Sequence, residues 1–265
     1  MGFFSSGFFS SSTQSFITTH RTETIKEQRD STPTENISAL SQSEQLNHLA
    51  NELKERSLLT PLDILLVGGT GTGKSSTLNA LFGKNVATVG TGVDPETQSI
   101  SAYQLHENFR IHDSAGLGDG KAADFQHAKN ITDELMRVIR INGHSYKFMD
   151  LAMVILDGGS RDLGTAFKLL ESVVLKSIEP DRVIVAINQA DMAMKGRGWN
   201  HVNDTPEQEL KNFLEEKAIS VQKRIKDSTG LTIKKPIYYS ALHKYNMGEF
   251  MEHIILHLPK NRRTV

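Results

Sequence analysis

Cysteine is absent from all 265 residues, so neither a disulfide nor a thiolate-bound metal can staple this chain. Long hydrophobic runs are missing as well. No segment reaches the roughly 18 uncharged apolar residues that a membrane-spanning helix needs. The first residues lack the early basic region of a secretory leader, and serines interrupt their apolar pairs. An excess of one charge is also lacking. Thirty Lys and Arg stand against 31 Asp and Glu, a formal net charge of -1, which argues against a surface that coats nucleic acid. The ten histidines are scattered without ligand spacing, so no zinc site is expected. With a mean hydropathy of -0.34, the composition predicts a globular cytoplasmic protein.

What is present falls into unequal parts. Gly2-Phe3-Phe4-Ser5-Ser6 is repeated at once as Gly7-Phe8-Phe9-Ser10-Ser11, and polar sequence continues to Ser43. Residues 1–42 show no helical or strand period and are expected to form a disordered Phe/Ser-rich tail. The aromatic pairs offer two alternatives: insertion into a membrane surface, or docking on a protein partner. Gly2 and Ser6 also fit the N-myristoylation pattern. Residues 43–59 carry Leu46, Leu49, Ala50 and Leu53 at i, i+3, i+4 and i+7, which predicts an amphipathic helix with Ser43 as its N-cap. Residues 60–259 then form the main domain. Residues 260–265 close the chain as a short tail, with Lys260-Asn261-Arg262-Arg263 expected in solvent.

Within the main domain, apolar runs alternate with helical periods. The strands are expected at Asp63–Val67, Ser99–Leu105, Phe109–His112, Leu151–Leu156, Arg182–Ile187 and Pro236–Tyr239. The helices are expected at Lys74–Phe82, Ala123–Ile141, Leu163–Ile178, Thr205–Lys226 and Met247–Leu258. This alternation predicts an α/β fold: a mostly parallel six-stranded sheet with helices on both faces. The strands at Ser99 and Phe109 have no helix between them and are expected to be an antiparallel hairpin.

The clearest chemical signal is Gly68-Gly69-Thr70-Gly71-Thr72-Gly73-Lys74-Ser75, which fits G-x-x-x-x-G-K-[ST]. It follows the apolar run Ile64–Val67 and opens the helix from Lys74 through Ser76 and onwards. Glycines let the backbone curl its N–H groups around a phosphate, and the helix points its positive end at the same anion. Lys74 adds a full charge between the outer phosphates. Ser75 offers a hydroxyl to Mg2+. The domain is therefore expected to be a P-loop NTPase, with Gly69 to Ser76 holding the phosphates.

Three later segments complete the nucleotide site, and two of them separate guanine from adenine. Asp113-Ser114-Ala115-Gly116 ends the strand from Phe109 and fits D-x-x-G: Asp113 would hold Mg2+ through water, and the Gly116 N–H would sense the γ-phosphate. Asn188-Gln189-Ala190-Asp191 fits N-[KQ]-x-D. The Asp191 carboxylate can accept from the guanine ring N–H and its exocyclic amine, a donor pair that adenine lacks. Ser240-Ala241-Leu242 follows the last strand, where its backbone can reach the guanine carbonyl oxygen. Thr97, in the loop 83–98, is the candidate switch hydroxyl for Mg2+, with Thr88 and Thr91 as competitors.

On these residues the chain resembles the translation-factor-related GTPase class, in particular the Era-like and prophage-encoded YfjP/YeeP-type GTPases. The stretch GGTGTGKSSTLNALFG, Gly68 to Gly83, also looks like the P-loop of immunity-related and AIG-type GTPases. The segments Gly92–Thr97 and Tyr239–Asn246 strengthen the YfjP-type likeness, which spans about Leu59 to Pro259. The resemblance implies a G domain acting as a nucleotide-gated switch, commonly dimerising across its nucleotide face. Three departures stand out. Leu117 occupies the place where signalling members carry a water-positioning glutamine. Gly71 stands where potassium-activated members place an asparagine. Gln189 replaces the common lysine.

The expected chemistry is attack of water on the γ-phosphate of GTP, with Lys74, Thr97 and Gly116 as the catalytic set and Ser75, Thr97 and Asp113 around the metal. The alternative is a slow or non-hydrolysing GTP-binding scaffold that dimerises or assembles, including at a membrane. Arg161 and Asp162 are candidates for a contact across a dimer, or for a solvated salt-bridging loop. The stretch Met192–Pro206, with Lys195, Arg197 and Trp199, is read as a loop that binds a partner, covers the base or anchors itself through Trp199.

Overall fold

The structure, a computed structural model, describes residues 40–82, 100–114, 121–160 and 164–265. In chain order the elements are α1 (Gln42–Glu55), β1 (Leu62–Gly68), α2 (Lys74–Phe82), β2 (Ile100–His106), β3 (Phe109–Ser114), α3 (Lys121–Met136), β4 (Val138–Ile141), β5 (His144–Lys147) and β6 (Leu151–Asp157). Next comes α4 (Gly164–Leu169), which runs through a π-helical turn at Leu170–Val174 into α5 (Leu175–Ser177). Then follow β7 (Val183–Asn188), β8 (Trp199–Asn200), β9 (Thr205–Pro206), α6 (Gln208–Thr229), β10 (Ile237–Tyr238) and α7 (Met247–Leu256).

Six strands form one sheet in the order β10-β7-β6-β1-β3-β2. All neighbours are parallel except β2 and β3, which pair antiparallel as the missing helix between them requires. β1 and β7 are buried at every residue and mostly apolar because both faces of the sheet are covered. On β1, alternate residues feed opposite layers. Ile64 and Leu66 pack with α1, α2 and α7, while Leu65 and Val67 pack with α3, the α4 helix and α6.

The helix α1 belongs to the first layer. Leu49 and Leu53 are fully buried there, as the spacing predicts. Its N-cap is Ser41, not Ser43. Glu44 sits at N3 and returns a bond to the Ser41 amide at 2.8 Å, completing a capping box two residues earlier than expected. Of the expected tail, residues 1–39 lie outside the described residues, while Ser41 and Gln42 already belong to the cap and first turn of α1.

Three boundaries differ from expectation for physical reasons. The helix expected over Ala123–Ile141 stops at Met136, and β4 and β5 follow as a hairpin. Val138-Ile139-Arg140-Ile141 is β-branched, and it ends in Asn142-Gly143. Both turn residues take positive φ, 51 and 81°, as a tight two-residue hairpin demands. The helix expected from Thr205 begins at Gln208, because Thr205 is held extended before Pro206 and pairs with Asn200. That helix runs on to Thr229 and ends at Gly230, whose φ is 74°. Finally, Arg263 is not solvated. It is 5% exposed, donates to the Leu135 carbonyl at 2.6 Å, to the Ser177 carbonyl and to Glu179 at 3.0 Å, and so ties the chain end to α3 and α5.

Candidate functional site

The phosphate loop leaves β1 at Gly68 and re-enters helix at Lys74. Gly71 and Gly73 take φ of 80 and 87°. At Gly73 a Cβ would also lie 2.2 Å from the Asn188 side-chain nitrogen, so only glycine fits. Thr72 braces the loop from inside, its hydroxyl donating to the Gly69 carbonyl at 2.9 Å. Thr70, Gly71, Ser75 and Ser76 face outward, whereas Thr72 and Lys74 are buried.

Lys74 folds its ammonium onto the loop's own carbonyls, those of Gly68 at 3.1 Å and Gly69 at 3.2 Å. Burial pushes it below the usual lysine range, against the pull of Asp113. Asp113 lies at the end of β3, in register with Leu66 on β1. Its Oδ1 is buried with no hydrogen-bond partner among the described residues. Burial raises this carboxyl to about 6, and the nearby Lys74 holds back part of the rise. A buried carboxylate oxygen without a donor among the described residues fits a divalent cation. Thr97 and Gly116 lie outside the described residues, as do Thr88, Thr91, Leu117, Arg161 and Asp162.

The base end is assembled from the ends of β7 and β10. Asn188 closes β7 and is 2% exposed. Its amide donates to the Thr72 carbonyl at 2.9 Å, and its oxygen accepts from the Ala241 amide at 3.0 Å. Gln189 adopts left-handed geometry (φ 59°) and donates to the Gly71 carbonyl at 2.8 Å. Asp191 is buried, and its Oδ1 accepts from the Ser240 hydroxyl at 2.6 Å. The His243 amide donates in turn to that hydroxyl oxygen at 3.3 Å. Leu242 is 78% exposed and lies at the rim.

Other supports were not legible as site residues. Lys217 on α6 reaches the carbonyls of Gly158 at 2.5 Å, Ser160 at 2.7 Å and Asp157 at 3.4 Å. The Gly158 amide donates to the Asn188 carbonyl at 2.7 Å, so the loop after β6 braces the base segment. An isolated mid-helix lysine carries no sequence signal for this. Tyr239, fully buried, meets the Thr77 hydroxyl at 2.6 Å and links α2 to the last strand. Trp199 is 5% exposed and anchors a small core with Ala190, Ala193, Leu210 and Leu214. The loop expected over Met192–Pro206 is thus a 3-10 segment followed by the β8–β9 ribbon. Among the described residues no cluster of His, Cys, Asp and Glu forms a metal cage, and no helix is long and apolar enough to cross a membrane.

A sequence model of the family described as 50S ribosome-binding GTPase matches residues 63–189. No curated protein sequence matches the chain. Toc33 from Arabidopsis thaliana, in complex with GDP and Mg2+, is similar in structure over 84% of this chain and 94% of that chain, with a TM-score of 0.55 at 15% identity. Toc33 with Mg2+ and GMPPNP gives 87% and 99%, a TM-score of 0.55 and 14% identity. Era from Aquifex aeolicus, bound to GDP.AlF4-, aligns at 16% identity with a TM-score of 0.44, and the chain spans 62% of it. The sheet order, the strand–loop–helix around Gly69–Gly73, the matching family model and the likeness to Toc33 identify the fold as a P-loop GTPase G domain.

Proposed function

We propose that this protein binds guanine nucleotide together with Mg2+ and hydrolyses GTP to GDP and phosphate as a nucleotide-dependent switch. The observation that carries this is Asn188. One buried carboxamide holds both the phosphate loop, at Thr72, and the segment after β10, at Ala241. This supports the reading that phosphate and base recognition belong to one pocket. On binding, Lys74 leaves the Gly68 and Gly69 carbonyls and turns to the outer phosphates. Ser75, Thr97 and Asp113 are the residues that would hold the metal. Mg2+ would supply charge neutralisation on the phosphates there.

Water attacks the γ-phosphorus, the bond to the β–γ bridging oxygen breaks, and the water's proton leaves with inorganic phosphate. Lys74 and the loop amides stabilise the charge that shifts onto the bridging oxygen, and the Gly116 N–H contacts the γ-phosphate. Asp191 selects guanine. The Era-like and YfjP/YeeP-type assignment, a cytoplasmic or membrane-peripheral location, dimerisation across the nucleotide face and docking through the N-terminal tail extend this reading from the sequence segments that carry them.

Leu117 favours a second reading for turnover, because leucine cannot position water. In it the protein is a slow GTP-binding scaffold, and assembly rather than hydrolysis is the output. Phosphate release over a protein concentration series separates the two. A rate that rises with concentration supports the switch. No release at any concentration, with GTP bound, supports the scaffold. Failure of folded protein to bind either GDP or GTP in calorimetry rejects both.

A further inference from the structure

The ribbon between Asp191 and α6 does more than fill a gap. Asn200 Oδ1 accepts from the amides of Val202 at 2.9 Å and Asn203 at 3.2 Å, which fixes the turn between β8 and β9. That turn ends at Asp204 and delivers its carboxylate to His243, with Nδ1 and Oδ1 2.7 Å apart. On the far side of the same imidazole, Nε2 lies 3.9 Å from Asp191 Oδ2. Trp199 flanks the ring with centroids 5.0 Å apart, and His201 stands at 6.4 Å. The titratable groups facing His243 are thus Asp191 from the segment after β7, and Asp204 and His201 from the ribbon. Lys244 is its neighbour in the chain.

The tautomer follows from the partners. An ionised carboxylate only accepts, so Nδ1 carries a proton toward Asp204. In the neutral ring Nε2 then presents a lone pair to Asp191 Oδ2. Two acceptors face each other at a distance too long for a hydrogen bond. The oxygen therefore stays free for the donors of a guanine edge. A second proton reverses this. Nε2–H becomes a donor aimed at Oδ2, with Asp204 stabilising the cation from behind.

We propose that His243, oriented by Asp204, is a proton-operated positioning residue for Asp191: once protonated it engages Oδ2 and weakens guanine-nucleotide binding. This rests on the proposed guanine site, and the ribbon is then a regulatory attachment to base recognition.

The test is calorimetric affinity for GDP from pH 7.5 to 5.5 on the full chain, in EDTA so that metal binding at Asp113 does not enter. Wild type, His243→Gln and Asp204→Asn are compared, with inorganic triphosphate as a probe that lacks a base. Wild type is expected to lose about tenfold in GDP affinity across this range beyond any loss for triphosphate, a coupling of ordinary size. His243→Gln should lose that extra dependence. Asp204→Asn keeps an acceptor but removes the charge, so its loss should move to lower pH. Superimposed GDP profiles for wild type and both variants overturn the inference while leaving the nucleotide site intact. Wild type that binds no GDP at pH 7.5 even with Mg2+ restored overturns the site as well. Asp204 is half exposed, so its variant remains informative if His243→Gln fails to fold.

Discussion

At the proposed phosphate end, the candidate residues form one unbroken stretch from Gly69 to Ser76 and would act mostly through their backbone. At the base end, segments near Asn188, Trp199 and Ser240 converge from far apart in the chain. The two ends also differ in how well they are satisfied. Lys74 spends its bonds on loop carbonyls and Asp113 leaves a buried oxygen unpaired, whereas Asn188 and Ser240 are fully engaged. The phosphate end is therefore poised to rearrange around an anion and a cation. The proposed base end is held by internal hydrogen bonds, which would lower the ordering cost of selective binding there.

Lys74→Met breaks this contrast most severely. Hydrogen bonds to charged groups contribute roughly 1.5–3 kcal/mol each, so GDP and GTP affinity should fall by at least about 100-fold in calorimetry. The same variant should not lower the melting temperature of ligand-free protein. A partly buried ammonium gives way to an apolar chain of similar length, and its desolvation cost goes with it. Lost binding with retained stability is the signature of a group held ready for a ligand.

Asn188→Ala should do the reverse, costing stability first. It strands the Thr72 carbonyl and the Ala241 amide in a buried setting, at about 1–3 kcal/mol for each. Urea unfolding without nucleotide should show a loss of about 2–5 kcal/mol. A loss under half a kilocalorie, within about the range of surface substitutions, would mean the two ends are not joined through this side chain.

Asp113 tests the unsatisfied end through pH. Its folded-state value of about 6 lies above the ordinary carboxylate value of 3.8, so the native protein holds this proton more tightly than the unfolded chain. Stability from that proton is complete below the unfolded value and is lost as pH rises through the folded one. Without metal, Asp113→Asn should therefore be more stable than wild type at pH 7.5, by at most about 3 kcal/mol. The difference should vanish below about pH 4 in urea unfolding. With Mg2+ and GDP the order should invert, because only the carboxylate rewards the cation.

The same contrast explains what could be read from the chain. Gly69 to Ser76 was legible because its chemistry is local: a buried strand, a glycine loop and a helix start, all adjacent in sequence. The sheet followed from strands apolar enough to be covered twice, as at Leu62–Gly68 and Val183–Asn188. The β4–β5 hairpin was missed although Asn142-Gly143 signals it, because the apolar spacing of α3 runs on into Val138 and Ile139. The cap at Ser41 lost to Ser43 for a similar reason: both are serines, and only Glu44 at N3 decides between them. Asp204, His243 and Lys217 left no readable trace, since their roles exist only once distant segments have met. Arg263 reads as one more terminal cation until the carbonyls of Leu135 and Ser177 turn toward it.

The smallest expected effect lies at the second tie between the two ends. Gln189 reaches the Gly71 carbonyl at 2.8 Å, much as Asn188 reaches Thr72, but it does so at an exposed site. Water can replace a lost bond there, so Gln189→Ala should change unfolding free energy by less than about 0.5 kcal/mol. Its effect should appear in binding instead. The side chain restrains Gly71, whose left-handed backbone faces solvent with no neighbour to confine it. Removing that restraint should raise the GDP dissociation rate about two- to fivefold, within the range of one modest hydrogen bond. A large stability loss in this variant, comparable with that of Asn188→Ala, would mean that exposure does not separate the two amides and that the phosphate loop depends on both to hold its shape.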